Sequence, residues 1–309
     1  MEYLHSFFDT KIEKPTAVTV GKFDGIHKGH ELLNECILSQ KTNGLSSVVV
    51  TFSNTPRIAL EKDDILSLIT NEERVFKLER EGVDYLIECP FDNRMMTTEP
   101  EDFIYHLVKS LNMKYLVVGS DFRFGHKGIG DVKMLKELSK SYDFELKVIE
   151  QIKQDARDIS STYIREELIN GNIKLVNDML GYDYFIWGEV VHGAHLGTKI
   201  GIPTINIIPP NNKLVPKYGV YATTVEFDGR KYHGVTNVGN KPTVSKEKHL
   251  GIETHILDFN GDIYGKDVKV TFKYFIRDEI KFASVDDLKA QMTKDKNTAR
   301  MYFNSVISG

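Results

Sequence analysis

The stretch Val18-Thr19-Val20-Gly21-Lys22-Phe23-Asp24-Gly25-Ile26-His27-Lys28-Gly29-His30 decides the fold of the first half of the chain. It opens with β-branched residues that predict a short buried strand, and Gly21 and Gly25 then break the strand pattern. After His27, apolar residues recur at helical spacing, so a glycine-rich turn leads from a strand end into a helix start. Because the first amides of a helix lack internal partners and the helix dipole adds positive charge there, this turn suits a phosphate.

Two histidines stand at the predicted helix start. His27 and His30 are three residues apart, which puts them on one face of the helix. Two imidazoles there would donate hydrogen bonds to phosphate oxygens as charge develops in a transition state. The alternative is a pair of surface histidines on an ordinary helix cap. The stretch is neither the G-x-G-x-x-G dinucleotide pattern nor a Walker A loop.

The bulk composition bounds the class of protein. The chain has 309 residues, enough for two domains, and its 41% hydrophobic and 27% charged residues are usual for a globular protein. The sequence has no apolar run of about 18 residues, so no membrane span is predicted. The first ten residues do not resemble a signal peptide. Two cysteines without C-x-x-C spacing argue against structural zinc and favour the reducing cytoplasm. The net charge of −4 argues against general binding of nucleic acid.

The first half alternates strand-like and helix-like segments. Strands are predicted at the opening stretch and at 46–52, 85–89, 115–118 and 145–149, with helices at 71–81, 100–111 and 132–142. Strands separated by helices of this length imply a parallel sheet with right-handed crossovers. Ligands bind beyond the carboxyl ends of such strands, where Gly21, Phe52 and Gly119 fall.

Two further segments of the first half contain residues suited to a nucleotide. The loop from Gly119 to Gly125 holds Asp121, Phe122, Arg123 and Phe124, and aromatics beside an arginine suit a planar ring and a phosphate. A plain surface loop with one or two buried phenylalanines is the alternative. At 159–165, the hydroxyls of Ser160 and Thr162 precede a helical segment, with Arg165 one turn in. They suit a helix cap or a phosphate, and the local sequence favours a helix cap alone.

From Phe185 onward the sequence pattern changes to short β-rich runs broken by Gly, Pro and Asn. Six strands are predicted, at 187–191, 204–208, 220–227, 230–235, 253–259 and 267–275, and Asp228-Gly229 is a hairpin signal. They predict a small antiparallel barrel, followed by an amphipathic helix over 285–303. We expect two domains, 1–183 and 184–309.

The second half has its own candidate site residues. Residues 192–206 contain three glycines and then Pro-Thr-x-Asn, and glycines let backbone amides approach phosphates. Thr204 and Asn206 alternate to one face of a strand, where their oxygens would share Mg²⁺ with nucleotide phosphates. Glu253 within an apolar strand either faces solvent or acts as a general base. For residues 192–206, the alternative is a glycine-rich loop with a purely structural role.

These motifs resemble two enzyme domains in one chain. The opening stretch matches G-x-F-D-G-x-H-x-G-H of the FAD synthetase branch of the nucleotidyltransferases, whose D-F-R-F-G and I-S-S-T-x-I-R motifs also recur here. The second half is similar to riboflavin kinase in its V-V-H-G, P-T-x-N, G-V-Y, L-D-F, G-D-x-Y-G and R-x-E-x-K-F segments. The resemblance spans nearly all of residues 15–303. The chain departs from the common pattern at Gly128, Tyr163, Thr198 and Lys241, where the family commonly has arginine, and at Ile205, where it prefers alanine.

The resemblance implies a bifunctional riboflavin kinase/FAD synthetase with an α/β fold: a Rossmann-like nucleotidyltransferase domain with a parallel sheet, then a small antiparallel β-barrel and a terminal helix. It implies that ATP and Mg²⁺ are used, that riboflavin, FMN and FAD are the other small-molecule partners, and that neither nucleic acid nor a membrane is bound. A flavin-binding regulator with reduced catalysis, or an adenylyltransferase for another phosphate acceptor, are the alternatives. The sequence leaves the oligomeric state open.

The resemblance also implies a role for each matched position. The catalytic residues are His27, His30 and Glu253, and the metal is held by Thr204 and Asn206. Nucleotide phosphates are held by Gly21, Phe23, Asp24, Gly25, Ser160, Thr162, Arg165, Gly193, Gly197 and Gly201. The flavin is held by Asp121, Phe122, Arg123, Phe124 and Arg277.

Overall fold

A computed structural model describes residues 1–53, 66–192, 201–241 and 249–307 of the chain. These residues form two units, Met1–Ser161 and Thr162–Gly309. The predicted glycine positions 193 and 197 and the departure at Thr198 lie outside the described residues.

The first unit contains a parallel sheet that, in the described residues, has six strands in the order β1-β4-β3-β2-β5-β6. Its strands are β1 (Glu2–Leu4), β2 (Thr16–Val20), β3 (Ser46–Phe52), β4 (Tyr85–Cys89), β5 (Met113–Gly119) and β6 (Glu145–Ile149). The helices are α1 (Lys28–Ser39), α2 (Asn71–Glu81), α3 (Asn93–Thr97), α4 (Pro100–Ser110) and α5 (Val132–Tyr142). The predicted parallel sheet is confirmed, with one additional edge strand, β1, too short for its periodicity to be recognised.

Local sequence signals explain where the helices begin. Thr70 and Glu73 form a reciprocal capping box at the start of α2, in which each side chain accepts from the backbone amide of the other residue. Asp131 caps α5 by accepting from the amide of Met134 at 2.9 Å, and Pro100 occupies the first turn of α4.

Alternation along the central strands separates two hydrophobic clusters, one on each face of the sheet. Val18, Val48 and Val50 belong to one cluster, and Ala17 and Val49 belong to the other. The central strands are therefore buried on both faces, as their continuous β-branched composition predicts.

The strand order places the candidate site. The chain leaves β2 for β3 and β4 on one side of the sheet and then crosses to β5 and β6 on the other. A crevice opens where the order reverses, outside the carboxyl ends of the strands. The Gly21 turn after β2 and the Gly119 loop after β5 both begin at this point.

The first unit also contains the short hairpin of β7 (Lys153–Gln154) and β8 (Arg157–Asp158). The second unit is a closed antiparallel barrel, whose described strands are β9 (Phe185–Val191), β10 (Ile205–Ile207), β11 (Gly219–Phe227), β12 (Arg230–Lys241), β13 (His249–Ile256) and β14 (Asp267–Arg277). Their order around the barrel is β10-β13-β12-β11-β14-β9. The predicted barrel is confirmed, and the predicted Asp228-Gly229 turn joins β11 to β12.

Two helices precede the barrel and pack within the same unit. Helix α6 spans Ser161–Asn170 and α7 spans Ile173–Leu180. The amide of Lys217 donates to the carbonyl of Leu168 at 3.0 Å, and Asn177 Nδ2 donates to the carbonyl of Phe272 at 2.9 Å. The two units consequently divide just after Ser161, the first residue of α6, whereas the predicted domain boundary at residue 183 follows α7 and stays a prediction.

The terminal helix α8 (Val285–Ile307) packs on the outside of the barrel. Ala299 and Phe303 of α8 form a hydrophobic cluster with Ala222 and Leu257. The predicted helix over 285–303 is confirmed and extends a further turn.

Candidate active sites

The turn after β2 is held in an unusual backbone conformation. Phe23, Gly25 and Ile26 all have positive φ angles, of 48°, 90° and 41°. Two hydrogen bonds fix the turn against its neighbours: Thr51 Oγ1 donates to the carbonyl of Lys22 at 2.9 Å, and Ser161 Oγ donates to the carbonyl of Asp24 at 2.8 Å. In the predicted strand–turn–helix, a turn held by two side-chain hydrogen bonds therefore places His27 at the start of α1.

The rings of the two predicted histidines lie in contact. The ring centroids of His27 and His30 are 3.9 Å apart, with 30° between the planes. His27 is the residue just before α1 and has an extended backbone, and among the described residues its side chain caps nothing. The Nδ1 atom of each ring is buried and has no hydrogen-bond partner in the described residues. Nε2 is thus the nitrogen of each ring that remains for a ligand.

Burial sets the charge of the pair. It lowers the pKa of His27 to about 4, although the carboxylates of Asp24 and Asp121 act in the opposite direction. Burial also lowers the pKa of His30 well below its ordinary value, and the adjacent His27 acts in the same direction. Both rings are therefore neutral at neutral pH and offer one N–H each.

Asp121 reaches this site from a different strand. It follows β5, and its carboxylate is close enough to raise the pKa of His27. A Cβ atom on Gly119 would lie 2.8 Å from Asp121 Oδ1, so the glycine leaves room for the carboxylate to fold back over the strand end. The structure thus brings one predicted flavin-binding residue to the predicted catalytic histidines.

Asp24 is engaged with backbone rather than with open space. It is buried, and its Oδ1 accepts from the amides of Leu68 at 2.8 Å and Ile69 at 3.4 Å. Lys22 Nζ lies 3.8 Å from Asp24 Oδ2. A buried carboxylate would also repel a phosphate, so this geometry favours an anchoring role for Asp24 over the predicted phosphate contact.

The aromatics of the Gly119 loop differ in accessibility. Phe124 is only 5% exposed and belongs to the hydrophobic core, whereas Phe122 is half-buried and stacks on it with centroids 5.7 Å apart. Arg123 is exposed, and its Nη1 lies 3.8 Å from Asp131 Oδ2. Of the predicted flavin contacts in this loop, Phe122, Arg123 and Asp121 are accessible to a ligand.

The start of α6 contains a contact that sequence reasoning missed. Ser160 is half-buried and Thr162 is exposed, as a phosphate contact requires, but the hydroxyl that holds the histidine turn is that of Ser161. Its position between two other hydroxyl residues offers no signal of this bond, which links residues 137 positions apart. Thr162 and Arg165 lie on α6 in the second unit, and their phosphate contacts stay predictions.

Two departures from the family pattern have a structural explanation. Gly128 adopts a positive φ of 65°, a conformation that disfavours the arginine common there. Tyr163 is buried on α6, so it belongs to the packing of the helix. The side chain of Lys241 lies outside the described residues.

On the barrel, strand register brings three polar residues into one row. Asn206 of β10 is directly opposite Glu253 of β13, and Glu253 is directly opposite Asn237 of β12. Directly opposite residues share a face of the sheet, with Cβ atoms about 5 Å apart. Asn206 is buried and the other two are half-buried. Asn237 was not predicted, because only the barrel register aligns it with Glu253.

Thr204 lies just before β10, whereas the predicted strand at 204–208 included it. It is half-buried and lines a cavity of about 280 Å³ together with Pro203, Ile205, Thr254 and residues 259–264. Gly201, the described member of the predicted glycine-rich phosphate loop, has a positive φ of 78° and an open Cβ position.

Arg277 is already engaged by protein groups. Its Nε and Nη2 atoms donate to the carboxylate of Asp295 on α8, and its Nη1 donates to the carbonyl of Asp278 at 2.9 Å. This arrangement favours an anchoring role for Arg277 over the predicted flavin contact.

The fold and these two sites define a class of protein. A parallel α/β unit presents a histidine pair at a helix start beside its topological switch point, and a second unit is a small closed barrel with a carboxylate–amide row. This is the architecture of a nucleotide-dependent transferase with two separate sites. Among the described helices, none has both the length and the apolar character needed to cross a bilayer.

Comparison with known proteins identifies the family. Residues 9–163 match the FAD synthetase family model, and residues 180–303 match the riboflavin kinase model. The chain is 40% identical over 294 residues to the bifunctional riboflavin kinase/FMN adenylyltransferase of Haemophilus influenzae, with 94% of each chain covered. It is 34% identical over 300 residues to the enzyme of the same name from Bacillus subtilis, with 94% and 93% covered. The chain therefore belongs to the bifunctional riboflavin kinase/FMN adenylyltransferase family.

A solved structure is similar over most of the chain. It is described as a macrolide-efflux protein from Streptococcus pneumoniae, and it is 34% identical with a TM-score of 0.88, covering 96% of this chain and 98% of that one. The family, the fold class and the bifunctional transferase predicted from the sequence are confirmed.

Proposed function

We propose that the two activities of the family divide between the two sites, with adenylylation of FMN at the histidine pair and phosphorylation of riboflavin on the barrel. The single observation that carries this assignment is the contact between the rings of His27 and His30, with both Nδ1 atoms buried. It supports a site built to present two neutral N–H donors at a helix start, which is what a reacting phosphate requires.

In the first unit, a phosphate oxygen of FMN attacks the α-phosphorus of ATP, and pyrophosphate leaves. Nε2–H of His27 and of His30 donates to oxygens of the α-phosphate, whose negative charge is redistributed in the transition state. The unpaired amides of the first turn of α1 add to this stabilisation. Because the rings are neutral before ATP binds, no buried charge has to be maintained in the empty site.

The surrounding residues bind the rest of the substrates. Ser160 and the glycines at 21 and 25 border the turn on which the phosphates would lie, while Asp121, Phe122 and Arg123 offer a carboxylate, a ring and a cation to the flavin nucleotide. The predicted phosphate contacts of Thr162 and Arg165, and of the glycines at 193 and 197, remain predictions from the sequence.

In the barrel, Glu253 acts as the general base that accepts the proton of the riboflavin 5′-hydroxyl as it attacks the γ-phosphorus of ATP. Its half-buried position opposite Asn206 supports this role over a purely solvent-facing carboxylate. Positioning and charge neutralisation supply most of the catalysis in phosphoryl transfer, so a short polar row on a rigid barrel is sufficient.

The residues present fit a magnesium ion. Thr204 and Asn206 offer a hydroxyl and an amide oxygen, the hard ligands that Mg²⁺ prefers. Across the described ranges, no three His, Cys, Asp or Glu side chains converge as a metal-binding group. Mg²⁺ would therefore be held by one or two protein oxygens and by ATP phosphates, which is its usual mode with nucleotides. When bound, it neutralises charge on the transferred phosphate.

Both cysteines, Cys36 and Cys89, are free thiols, which supports the proposed cytoplasmic location. Riboflavin, FMN, FAD and ATP are the proposed small-molecule partners.

The decisive experiment separates the two activities in one protein. Full-length enzyme with riboflavin, ATP and Mg²⁺ is expected to form FMN and then FAD. His27→Ala with His30→Ala should lower FAD formation from supplied FMN by about 100-fold or more and leave FMN formation intact. Glu253→Gln should do the reverse, by about 100-fold. Equal loss of both activities in either variant contradicts the assignment of sites.

A further inference from the structure

Phe23 was predicted to contact the nucleotide, but the structure buries it completely. Its ring centroid lies 4.8 Å from that of His30, and His30 in turn lies 3.9 Å from His27. His30 is therefore in contact with two rings, one of which has no access to a ligand.

The turn is built to bring Phe23 to this position. Its φ of 48° is left-handed, a conformation that costs a residue other than glycine about 1 kcal/mol. A Cβ atom on Gly21 would lie 3.2 Å from Phe23 Cε2, so the glycine leaves room for the ring. A Cβ atom on Gly29 would lie 3.2 Å from Nδ1 of His27, so a second glycine leaves room at the other end of the three rings.

Packing, in place of a hydrogen bond, orients the two histidine rings. A functional histidine is usually oriented by a hydrogen bond from its second ring nitrogen. Neither Nδ1 atom of this pair has such a partner among the described residues. The orientation of Nε2 therefore depends on the rings that the imidazoles touch.

We propose that Phe23 is a positioning residue for adenylyl transfer: its buried ring fixes the plane of His30, and through it that of His27, so that both Nε2 atoms point at the α-phosphate. This inference rests on the proposed function of the histidine pair. A ring that only filled the core would contribute to stability and not to the transition state.

The test compares Phe23→Leu with Phe7→Leu in the full-length protein. Phe7 is also buried in the first unit, but it belongs to the other hydrophobic cluster and not to the one that contains Phe23. Phe23→Leu is expected to lower kcat for FAD formation from FMN by about 10-fold or more at nearly unchanged KM. FMN formation from riboflavin, measured in the same sample, should be unchanged. Phe7→Leu should lower thermal stability while kcat for FAD formation per folded molecule is retained.

NMR reports on the contact between the Phe23 and His30 rings independently of activity. The carbon-bound ring protons of His30 should show an upfield ring-current shift in NMR spectra that is reduced in Phe23→Leu, where only the His27 ring still contributes. If that shift is absent in the unaltered protein, or if Phe23→Leu retains kcat within about twofold, the proposal is wrong. If Phe7→Leu loses FAD formation to the same extent, Phe23 is only a core residue and the proposal is equally wrong.

Two further results keep the outcomes separable. Should Phe23→Leu not fold, Phe23→Met takes its place, because methionine fills irregular core space without a ring. Loss of FAD formation with FMN formation intact would support the proposal, and retention would overturn it. If the double histidine variant keeps full FAD formation, the proposed function itself fails, whatever the NMR shift shows.

Discussion

Arg277 and Asp295 join the last barrel strand to the terminal helix through a two-point ion pair. Arg277 Nε lies 3.0 Å from Asp295 Oδ1, and Nη2 lies 2.7 Å from Oδ2. Asp295 is only 2% exposed, and Gln291 Nε2 donates to its Oδ1 at 2.9 Å. The parallel fork of the guanidinium matches the carboxylate, which a lysine could not reproduce. The pair anchors α8 to β14.

Asp295→Asn should destabilise the second unit by about 3 kcal/mol, because it leaves the Arg277 cation without its buried partner. Denaturant unfolding measures this loss. Asp258→Asn is the matched control, since its pair with Arg300 is exposed and should matter little. If the two variants lose the same stability, the pair is not an anchor.

The stability of the first unit should fall on acidification. The pKa of His27 is about 4 in the folded protein and near 6.5 when unfolded, so between these values the unfolded state binds a proton that the folded state does not. The part of the unfolding free energy that depends on neutral His27 is complete above pH 6.5. It is lost as the pH falls toward 4, at up to about 1.4 kcal/mol per pH unit.

Unfolding free energies measured from pH 7 to 4 check this slope. His27→Gln removes the titrating group and should flatten it, while His30, whose pKa is also lowered, maintains part of it. An identical slope in His27→Gln would show that other groups cause the acid sensitivity.

Gly29→Ala should lower activity without lowering helix stability in proportion. Alanine is favoured over glycine within a helix by about 1 kcal/mol, but its Cβ would lie 3.2 Å from Cε1 and Nδ1 of His27 and displace that ring. We expect FAD formation to fall by about 10-fold while thermal stability changes little. Gly44→Ala is a control for glycine replacement in the same unit, because it has open space around it, and it should retain activity despite the strain of its positive φ.

Asn206→Ala should raise the Mg²⁺ concentration needed for FMN formation, since it removes one proposed metal ligand. A shift of about 10-fold is expected from the loss of one oxygen ligand. FAD formation from supplied FMN provides the internal control and should keep its original Mg²⁺ dependence. An unchanged Mg²⁺ dependence of FMN formation would remove Asn206 from the proposed metal site.

Much of the fold follows from patterns that are local in the chain. The β-branched run at 46–52 and the Asp228-Gly229 turn each depend on neighbours within a few residues, and each is found where it is predicted. The capping box at Thr70 is equally local. The short strand β1 was missed for the converse reason: three residues are too few to show a period, and only pairing with β4 makes them a strand.

The candidate sites divide in the same way. The sequence by itself determined that a histidine pair stands at a helix start and that a second, barrel-forming half follows, because turn chemistry and periodicity act over short distances. Only the tertiary structure decided that Phe23 is buried against His30, that Arg277 is held by Asp295, and that Asn206, Glu253 and Asn237 share one row. These relationships depend on burial and strand register, which are set by contacts between residues far apart in the chain.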